Sequence, residues 1–318
     1  MISRRNFLAL GAGAFAAKAF GGDYTFYETG IADEQVLKVT PIEIDLGLGK
    51  AFKALHFSDT HLNFFDVVDA GAAAEKNARE KFYQRWVRFP QAVQSFYATL
   101  DYARRNALPM FHTGDLIDIS TAGNDRFLAH NVAGLDWHCA LGNHEYQIEA
   151  PGNYTTDEPA QRRRLQPHFR NDLTVASRVI GGANFVAIDN ARVNLREETI
   201  FRARAEFDKG LPVVPMCHIP PFYTAKFLDN SVRGRAAILR KAGKGDEDIR
   251  KLRRPANVWD SYDQKTRDFW TWTQTNSRLK AILCGHTHCE EIDGFSETAS
   301  MYVAGGNFEG RAYEITFL

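Results

Sequence analysis

The chain has 318 residues, of which 44% are hydrophobic and 25% are charged. These fractions match an average globular protein, so they exclude a disordered or fibrous chain. Lys and Arg together number 39, and Asp and Glu together number 39, so the basic excess of a protein that binds nucleic acid through charge is absent. Four cysteines are too few for a disulfide scaffold of this size. No run approaches the roughly 20 apolar residues of a membrane span.

The amino-terminal residues are predicted to be an export signal. Arg4 and Arg5 precede a weakly apolar run rich in Gly and Ala, which is the pattern of a bacterial twin-arginine signal. An A-x-A cleavage pattern ends at Ala19. An amphipathic helix or an uncleaved anchor is the alternative. We expect residues 1–22 to be the signal, residues 23–318 to form one domain, and the protein to be periplasmic or extracellular.

Short apolar runs that end in polar, Gly-containing turns predict buried strands. The runs cover residues 52–57, 109–112, 137–141, 185–188, 213–217, 279–284, 301–304 and 313–317. Helical patterns separate several of them, at residues 73–88, 90–105 and 263–275. Strands that alternate with helices predict an α/β or layered architecture.

Residues 223–258 interrupt this alternation, because they hold ten Lys or Arg against four Asp or Glu. The segment also keeps several apolar residues, so we predict an insertion or cap rather than a linker. Its basic residues either contact an anion or form a solvated helical face.

Residue types that bind metals follow five of the predicted strands. They occur in the blocks Asp59-Thr60-His61, Gly114-Asp115-Leu116-Ile117-Asp118, Gly142-Asn143-His144-Glu145, His218 and Gly285-His286-Thr287-His288. Ligands bind at the carboxyl ends of strands in open α/β sheets. Carboxylates, imidazoles and an amide oxygen favour Zn, Fe or Mn over a sulfur-bound structural zinc.

In this order, the five blocks resemble the signature of the calcineurin-like metallophosphoesterases: D-x-H, G-D-x-x-D, G-N-H-[DE], a lone H and G-H-x-H. The resemblance implies an α/β fold, a four-layer α-β-β-α sandwich, with two metal ions (Zn, Fe or Mn) as cofactors. It implies a hydrolase that cuts phosphomonoesters or phosphodiesters of small molecules with a metal-activated hydroxide.

The resemblance also implies a role for nine residues. The expected metal ligands are Asp59, His61 and His288 for one ion, Asn143, His218 and His286 for the other, and Asp115 between both. His144 resembles the general acid of the family, and Asp118 resembles the carboxylate that orients it.

Two other functions remain open, a non-catalytic metal-dependent binding module and a nuclease of the same fold. All seven ligand positions and His144 hold matching residue types, which favours the enzyme, and the balanced charge disfavours the nuclease. The protein serine/threonine phosphatases of the family carry arginines where this chain has Ile119 and Leu141. A small phosphoester is therefore expected as substrate, with no nucleic acid as partner.

Several residues near the blocks have two interpretations. Phe64, Phe65, Phe222 and Tyr223 either line a pocket or pack the loops. Among the other residues of the strands, we expect the histidines to lie in the core or behind the ligands, and the cysteines to be small buried apolar side chains: His56, His112, His138, Cys139, Cys217 and Cys284. Cys289 follows His288 and has no predicted role.

Overall fold

The computed structural model describes residues 36–64, 91–148, 152–241, 245–252 and 256–318. The predicted signal at residues 1–22, the predicted helix at residues 73–88 and Phe65 lie outside these residues. Within the described residues, no helix is long and apolar enough to cross a membrane.

The strands are β1 (Lys38–Ile44), β2 (Phe52–Phe57), β3 (Met110–Thr113), β4 (Trp137–Ala140), β5 (Val175–Ile180), β6 (Ala183–Ile188), β7 (Val213–Met216), β8 (Ala281–Cys284), β9 (Glu291–Gly294), β10 (Ser300–Val303) and β11 (Arg311–Phe317). The α-helices are α1 (Ala92–Arg105), α2 (Ala122–Asn131), α3 (Glu158–Leu165), α4 (Glu197–Phe207), α5 (Ala225–Lys241), α6 (Asp246–Arg250) and α7 (Gln264–Thr275). Single 3-10 turns lie at His144–Tyr146, Gln166–His168, Val258–Ser261 and Asn307–Glu309.

The strands form two sheets. The first has the order β1-β11-β2-β3-β4, and the second has the order β5-β6-β7-β8-β10-β9. β2, β3 and β4 are parallel, and so are β6, β7, β8 and β10. The carboxyl ends of these parallel strands therefore lie along one edge of each sheet.

A layer of aromatic rings fills the space between the two sheets. Phe111 of β3 stacks on Phe185 of β6 with ring centroids 4.5 Å apart, and both rings contact Phe317 of β11. The outer face of the first sheet packs on α1, α2 and α3, and that of the second packs on α4, α5 and α7. The predicted four-layer α-β-β-α sandwich is confirmed.

All eight predicted strands are present, with ends that shift by one or two residues. Three strands, β1, β5 and β9, were not predicted. They lie at sheet edges, and most of their residues are exposed or half-buried. Helices α2, α3 and α4 were not predicted either, and the sequences of α2 and α3 carry few apolar residues. Most of the apolar runs on which the predictions rest occur in strands that are buried on both faces, such as β4, β6, β7 and β8.

The basic segment 223–258 contains α5 and α6, and α5 packs along the edge strand β9. Lys226 pairs with Glu291 at 3.0 Å, and Asn230 donates to the same carboxylate. Thr224 donates to Asp293 of β9. Because edge strands expose unpaired backbone groups, a helix over this edge shields it. Lys226 thus has a structural use beside any contact with an anion.

The packing between the sheets makes a testable prediction. Phe185 is fully buried, whereas Phe201 on α4 is 76% exposed. Phe185→Ala removes a ring from a closed core, so we expect the free energy of unfolding to fall by about 3–5 kcal/mol. Phe201→Ala makes the same chemical change at the surface and should cost less than about 0.5 kcal/mol. Urea denaturation of both variants measures the difference, and equal losses would contradict the assigned core.

Candidate metal centre

The nine predicted site residues come together at the carboxyl ends of β2, β3, β4, β7 and β8. Each of them lies within hydrogen-bonding or ion-pairing distance of another member: Asp59, His61, Asp115, Asp118, Asn143, His144, His218, His286 and His288. The structure thus leaves none of the predicted residues outside the site.

Five of these residues have a left-handed backbone. The φ angles are 55° for Asp59, 50° for His61, 55° for Asp115, 74° for His286 and 61° for His288. For a residue with a Cβ atom, the left-handed conformation costs about 1–2 kcal/mol relative to the right-handed one. Such strain collects at functional sites, where the surrounding structure holds the chain in place. At these five positions the left-handed backbone turns the loop, and the side chain of each residue reaches other members of the site.

Asp115 lies at the middle of the site. Its Oδ1 accepts a hydrogen bond of 2.8 Å from the backbone N–H of His144. Its Oδ2 lies 3.2 Å from Nε2 of His218 and 3.7 Å from Nε2 of His61. One oxygen therefore fixes the carboxylate, and the other faces imidazoles from two different loops.

A first cluster of possible metal ligands consists of Asp59, His61, Asp115 and His288, whose ligand atoms lie within 4.8 Å of one another. Nε2 of His61 and Nε2 of His288 are 3.0 Å apart. Asp59 accepts the backbone N–H of His286 through Oδ2 at 2.8 Å. Its Oδ1 is buried and accepts no hydrogen bond from the described residues. An ionised oxygen without a donor, surrounded by ring nitrogens, fits a metal ion.

A second cluster shares Asp115 and adds His218 and His286. Nδ1 of His286 lies 3.2 Å from Nε2 of His218, and Oδ1 of Asn143 lies 3.1 Å from the same nitrogen. Two imidazoles, one carboxylate and one amide oxygen thus face a common point. The two clusters together can hold two ions on either side of Asp115.

Groups behind the possible ligands fix their orientation. Nδ1 of His218 lies 2.8 Å from the backbone carbonyl oxygen of Thr113. Because a carbonyl can only accept, Nδ1 carries the proton and Nε2 keeps its lone pair for a metal. The amide Nδ2 of Asn143 donates to the hydroxyl of Tyr154 at 3.2 Å, so Oδ1 is left to face the cluster.

The charge of the site also fits metal ions. Burial favours the neutral acid, but His288 keeps the pKa of Asp59 below its usual range, and His218 and His144 do the same for Asp115. Burial lowers the pKa of His61 to about 4 and that of His286 to about 3, with nearby histidine charge adding to the effect. The site therefore combines ionised carboxylates with neutral imidazoles at His61 and His286, the states in which these groups bind metals.

His218 shows how strongly the carboxylates attract positive charge. Burial opposes protonation, yet the charge of Asp115 and its hydrogen bond, followed by the charge of Asp59, raise the pKa of His218 to about 10. Metal cations supply the same positive charge without consuming a ligand nitrogen.

A third group contains His61, Asp118 and His144. Oδ1 of Asp118 lies 2.9 Å from Nδ1 of His61 and 3.0 Å from Nδ1 of His144. The backbone oxygen of Asp118 is also 2.9 Å from Nδ1 of His144. Asp118 thus contacts His61, a possible metal ligand, as well as the predicted general acid His144. Only the contact with His144 was predicted.

Two structural features that hold the loops of the site in place were not predicted from the sequence. The carboxylate of Glu145 is buried and accepts the backbone N–H groups of Asp115, Ile117 and Gly142 at 2.6–3.0 Å. It therefore clamps the loop that carries Asp115. Burial and the charge of Asp115 raise the pKa of Glu145 to about 7. Glu145 directly follows His144 in the sequence, and this position could have indicated that Glu145 belongs to the site.

The second missed support is the 3-10 turn at Asn307–Glu309. The backbone N–H groups of Asn307 and Phe308 donate to the carbonyls of Ser58 and Asp59 at 2.9 and 3.1 Å. The ring of Phe308 stands edge-on to His61 and His288. This turn lies beyond the five blocks, and no motif in the sequence marked it.

The remaining predictions near the site concern buried residues. Phe64 is buried and stacks on Phe127 at 4.3 Å, and Tyr223 stacks on Phe227 at 4.8 Å, so both pack loops. Phe222 is half-buried against Trp259. The expected burial is confirmed for His56, His112, His138, Cys139, Cys217 and Cys284.

Comparison with known proteins assigns the chain to a family. Residues 52–290 match the family model described as calcineurin-like phosphoesterase. The chain belongs to this family. It is accordingly a phosphoester hydrolase, and its clustered Asp and His residues are able to bind the metal ions of a dimetal centre. None of the curated proteins matches the sequence significantly.

Solved structures also resemble this calcineurin-like phosphoesterase. A dimetal phosphatase from Danio rerio has 11% identity and a TM-score of 0.39, with 81% of this chain and 88% of that chain covered. A purple acid phosphatase from yellow lupin (Lupinus luteus) has 15% identity and a TM-score of 0.42, with 83% and 45% covered. A 5′-nucleotidase from Candida albicans has 12% identity and a TM-score of 0.35, with 80% and 46% covered. The chain spans about half the length of the last two proteins.

The loop that carries Gly142 lies in direct contact with the loop that carries Asp115, and this contact can be tested by mutation. A Cβ atom at this position would overlap Oδ1 and the backbone N of Asp115. We expect Gly142→Ala to displace Asp115 and to lower the number of bound metal ions, measured by elemental analysis of the purified protein. Gly134→Ala is the matched control, because its Cβ would meet no atom within 4 Å. Equal and full metal content in both variants would contradict the role given to this contact.

Proposed function

We propose that this phosphoesterase is exported and hydrolyses small phosphomonoesters or phosphodiesters at two metal ions, with His144 as the general acid. The observation that carries the proposal is the position of His144. Its Nε2 lies 3.9 Å from Oδ2 of Asp115, the oxygen that faces both clusters. A proton donor and the ligands of two ions therefore surround the same space.

Under this proposal each ion has its own ligands. Asp59, His61 and His288 would hold one ion, Asn143, His218 and His286 would hold the other, and Asp115 would contact both. When bound, two such ions supply positive charge to the phosphoryl oxygens and lower the pKa of an attacking water. Asp115, held through Oδ1 by the backbone of His144, keeps its other oxygen at the centre.

The general acid completes the reaction. As water attacks phosphorus, the bond from phosphorus to the leaving oxygen breaks, and that oxygen needs a proton. Nδ1 of His144 donates to the backbone oxygen of Asp118, so Nε2 is the nitrogen that can deliver this proton. The side chain of His144 is 14% exposed, which leaves it reachable by a substrate. The carboxylate of Asp118 favours the charged, proton-donating form.

The surroundings of the site support a small substrate. Ile119 and Leu141 occupy the positions where the serine/threonine phosphatases of the family carry arginines, and both are buried. Neither position can present a cation to a phosphoprotein. The complete set of ligand types, with a histidine beside it, supports an enzyme over a non-catalytic binding module.

Kinetics of His144→Ala test the proposal. The purified protein, with its metals measured, should hydrolyse p-nitrophenyl phosphate or bis-p-nitrophenyl phosphate. We expect His144→Ala to lower kcat by about 100-fold or more on an alkyl phosphoester. The loss should be much smaller on a nitrophenyl ester, because nitrophenolate leaves without a proton. His130→Ala, an exposed histidine on α2, should change neither rate.

Two outcomes would give His144 another role. Equal loss on both esters at full metal content would mean that His144 positions the phosphoryl group instead of donating a proton. Lower metal content in His144→Ala would make it a ligand. Asp118→Asn should weaken catalysis too, but it should also lower the metal content, because Asp118 contacts His61. An inactive wild type with two bound ions would refute the proposed function.

Export is tested separately from catalysis. Replacing Arg4 and Arg5 by lysines should keep the protein in the cytoplasm in an active form, since only the signal is altered. The matched control is the same double change at Arg104 and Arg105, an adjacent and exposed pair at the end of α1. Fractionation of cells that express each variant gives the result. Equal periplasmic recovery of both variants would contradict export by this signal.

A further inference from the structure

Arg192 lies one side chain away from the proposed second metal site. Its guanidinium carbon is 4.4 Å from the centre of the Tyr154 ring. The hydroxyl of Tyr154 accepts the hydrogen bond from Nδ2 of Asn143 at 3.2 Å. Stacking on an aromatic ring fixes the plane of a guanidinium. Tyr154 therefore connects the position of this cation to the position of a proposed ligand.

The backbone around Arg192 is strained. The N–H of Asn194 donates to the carbonyl of Arg192 at 2.8 Å, across Val193, whose φ is 70°. A two-residue hydrogen bond around a positive φ is the pattern of the rare and strained γ-turn. A β-branched residue in this region is a clear outlier. Strain of this kind is retained where the conformation has a use.

The same turn is joined to the metal centre. The side-chain oxygen of Asn190 accepts the backbone N–H groups of His218 and Ile219 at 3.0 and 3.1 Å, and its amide donates to the carbonyl of Ile219 at 2.6 Å. The N–H of Val193 in turn donates to the carbonyl of Asn190 at 2.9 Å. Arg192 is thus held in a fixed position relative to His218.

The charge of Arg192 is only partly neutralised. Its Nε lies 3.4 Å from Oε1 of Glu158, and Arg196 approaches the other oxygen of Glu158 at 2.6 Å. Two arginines therefore share one carboxylate. Within the described part of the chain, the terminal nitrogens of Arg192 make no hydrogen bond. The side chain is 34% exposed, so the fork of donors is open to a ligand.

We propose that Arg192 binds a second anionic group of the substrate, a phosphate or carboxylate beside the phosphoryl group that is cleaved. A guanidinium fork binds such groups through two parallel hydrogen bonds. Arg192 lies over the face of the Tyr154 ring, and Asn143 contacts the hydroxyl of the same ring. Among the described residues, Arg192 itself makes no contact with the proposed ligands, so we assign its fork to a neighbouring group rather than to the phosphoryl group on the metals. This inference rests on the proposed function and names its substrate class as phosphoesters that carry an additional anion.

Inhibition by two simple anions tests the inference. Orthophosphate carries one phosphoryl group, and pyrophosphate carries a second one next to it. In the metal-loaded enzyme, Arg192→Gln should raise the inhibition constant of pyrophosphate by about tenfold or more, because a charge-assisted pair of hydrogen bonds is lost. The constant of orthophosphate should change by less than about twofold. Free metal is held constant, and the metal content is measured on each preparation, because pyrophosphate chelates metals.

Arg196→Gln is the matched control, since Arg196 pairs with the same Glu158 but does not stack on Tyr154. It should leave both inhibition constants unchanged, and Arg192→Lys should retain part of the pyrophosphate affinity. Equal weakening of both anions, no weakening of either, or the same effect in Arg196→Gln would overturn the inference. Calorimetric titration of pyrophosphate into metal-loaded wild type and Arg192→Gln gives the same comparison without turnover. It therefore remains informative if the wild type cleaves no phosphoester and the proposed function fails.

Discussion

The burial of two ionised carboxylates, Asp59 and Asp115, is the constraint on which the site depends. Both side chains are removed from water, and ionised groups in such a place need positive charge or hydrogen-bond donors. Backbone N–H groups satisfy one oxygen of each, which leaves the other oxygens directed at imidazoles. Metal cations complete this balance, because neutral imidazoles and carboxylate oxygens are their preferred partners.

The fold supplies the rigidity that this arrangement requires. Parallel strands bring their carboxyl ends to a common edge, and the aromatic layer between the sheets fixes that edge on both sides. Site residues with a left-handed backbone, and a glycine in direct contact with a neighbouring loop, as Gly142 is with Asp115, would not persist on mobile loops. Glu145 and the Asn307 turn hold those loops from behind. Burial of the sheets therefore stabilises a strained centre that the loops alone could not maintain.

Much of this organisation could be predicted from the sequence, because the buried strands are continuous apolar runs and each ligand block follows directly after one. The missed edge strands bury one face only, so their patterns are weaker. The contacts of Asp118 with two histidines, and of Tyr154 with Asn143, could not be predicted, since they join residues that only the folded chain brings together. Arg192 could not be predicted for the same reason. Its proposed role depends on stacking against Tyr154 and on the strained turn at Val193, and neither is visible in the sequence.

The number of metal ions per chain is the most direct test of a dimetal centre built around Asp115. Elemental analysis of the wild-type protein should find two ions per chain, and Asp115→Asn should lose both, because a neutral amide cannot offset the repulsion between two cations. Asp208→Asn, at an exposed carboxylate that ends α4, should keep both ions. A wild type that is fully active with a single tightly held ion, or an Asp115→Asn variant that retains two, would contradict the account.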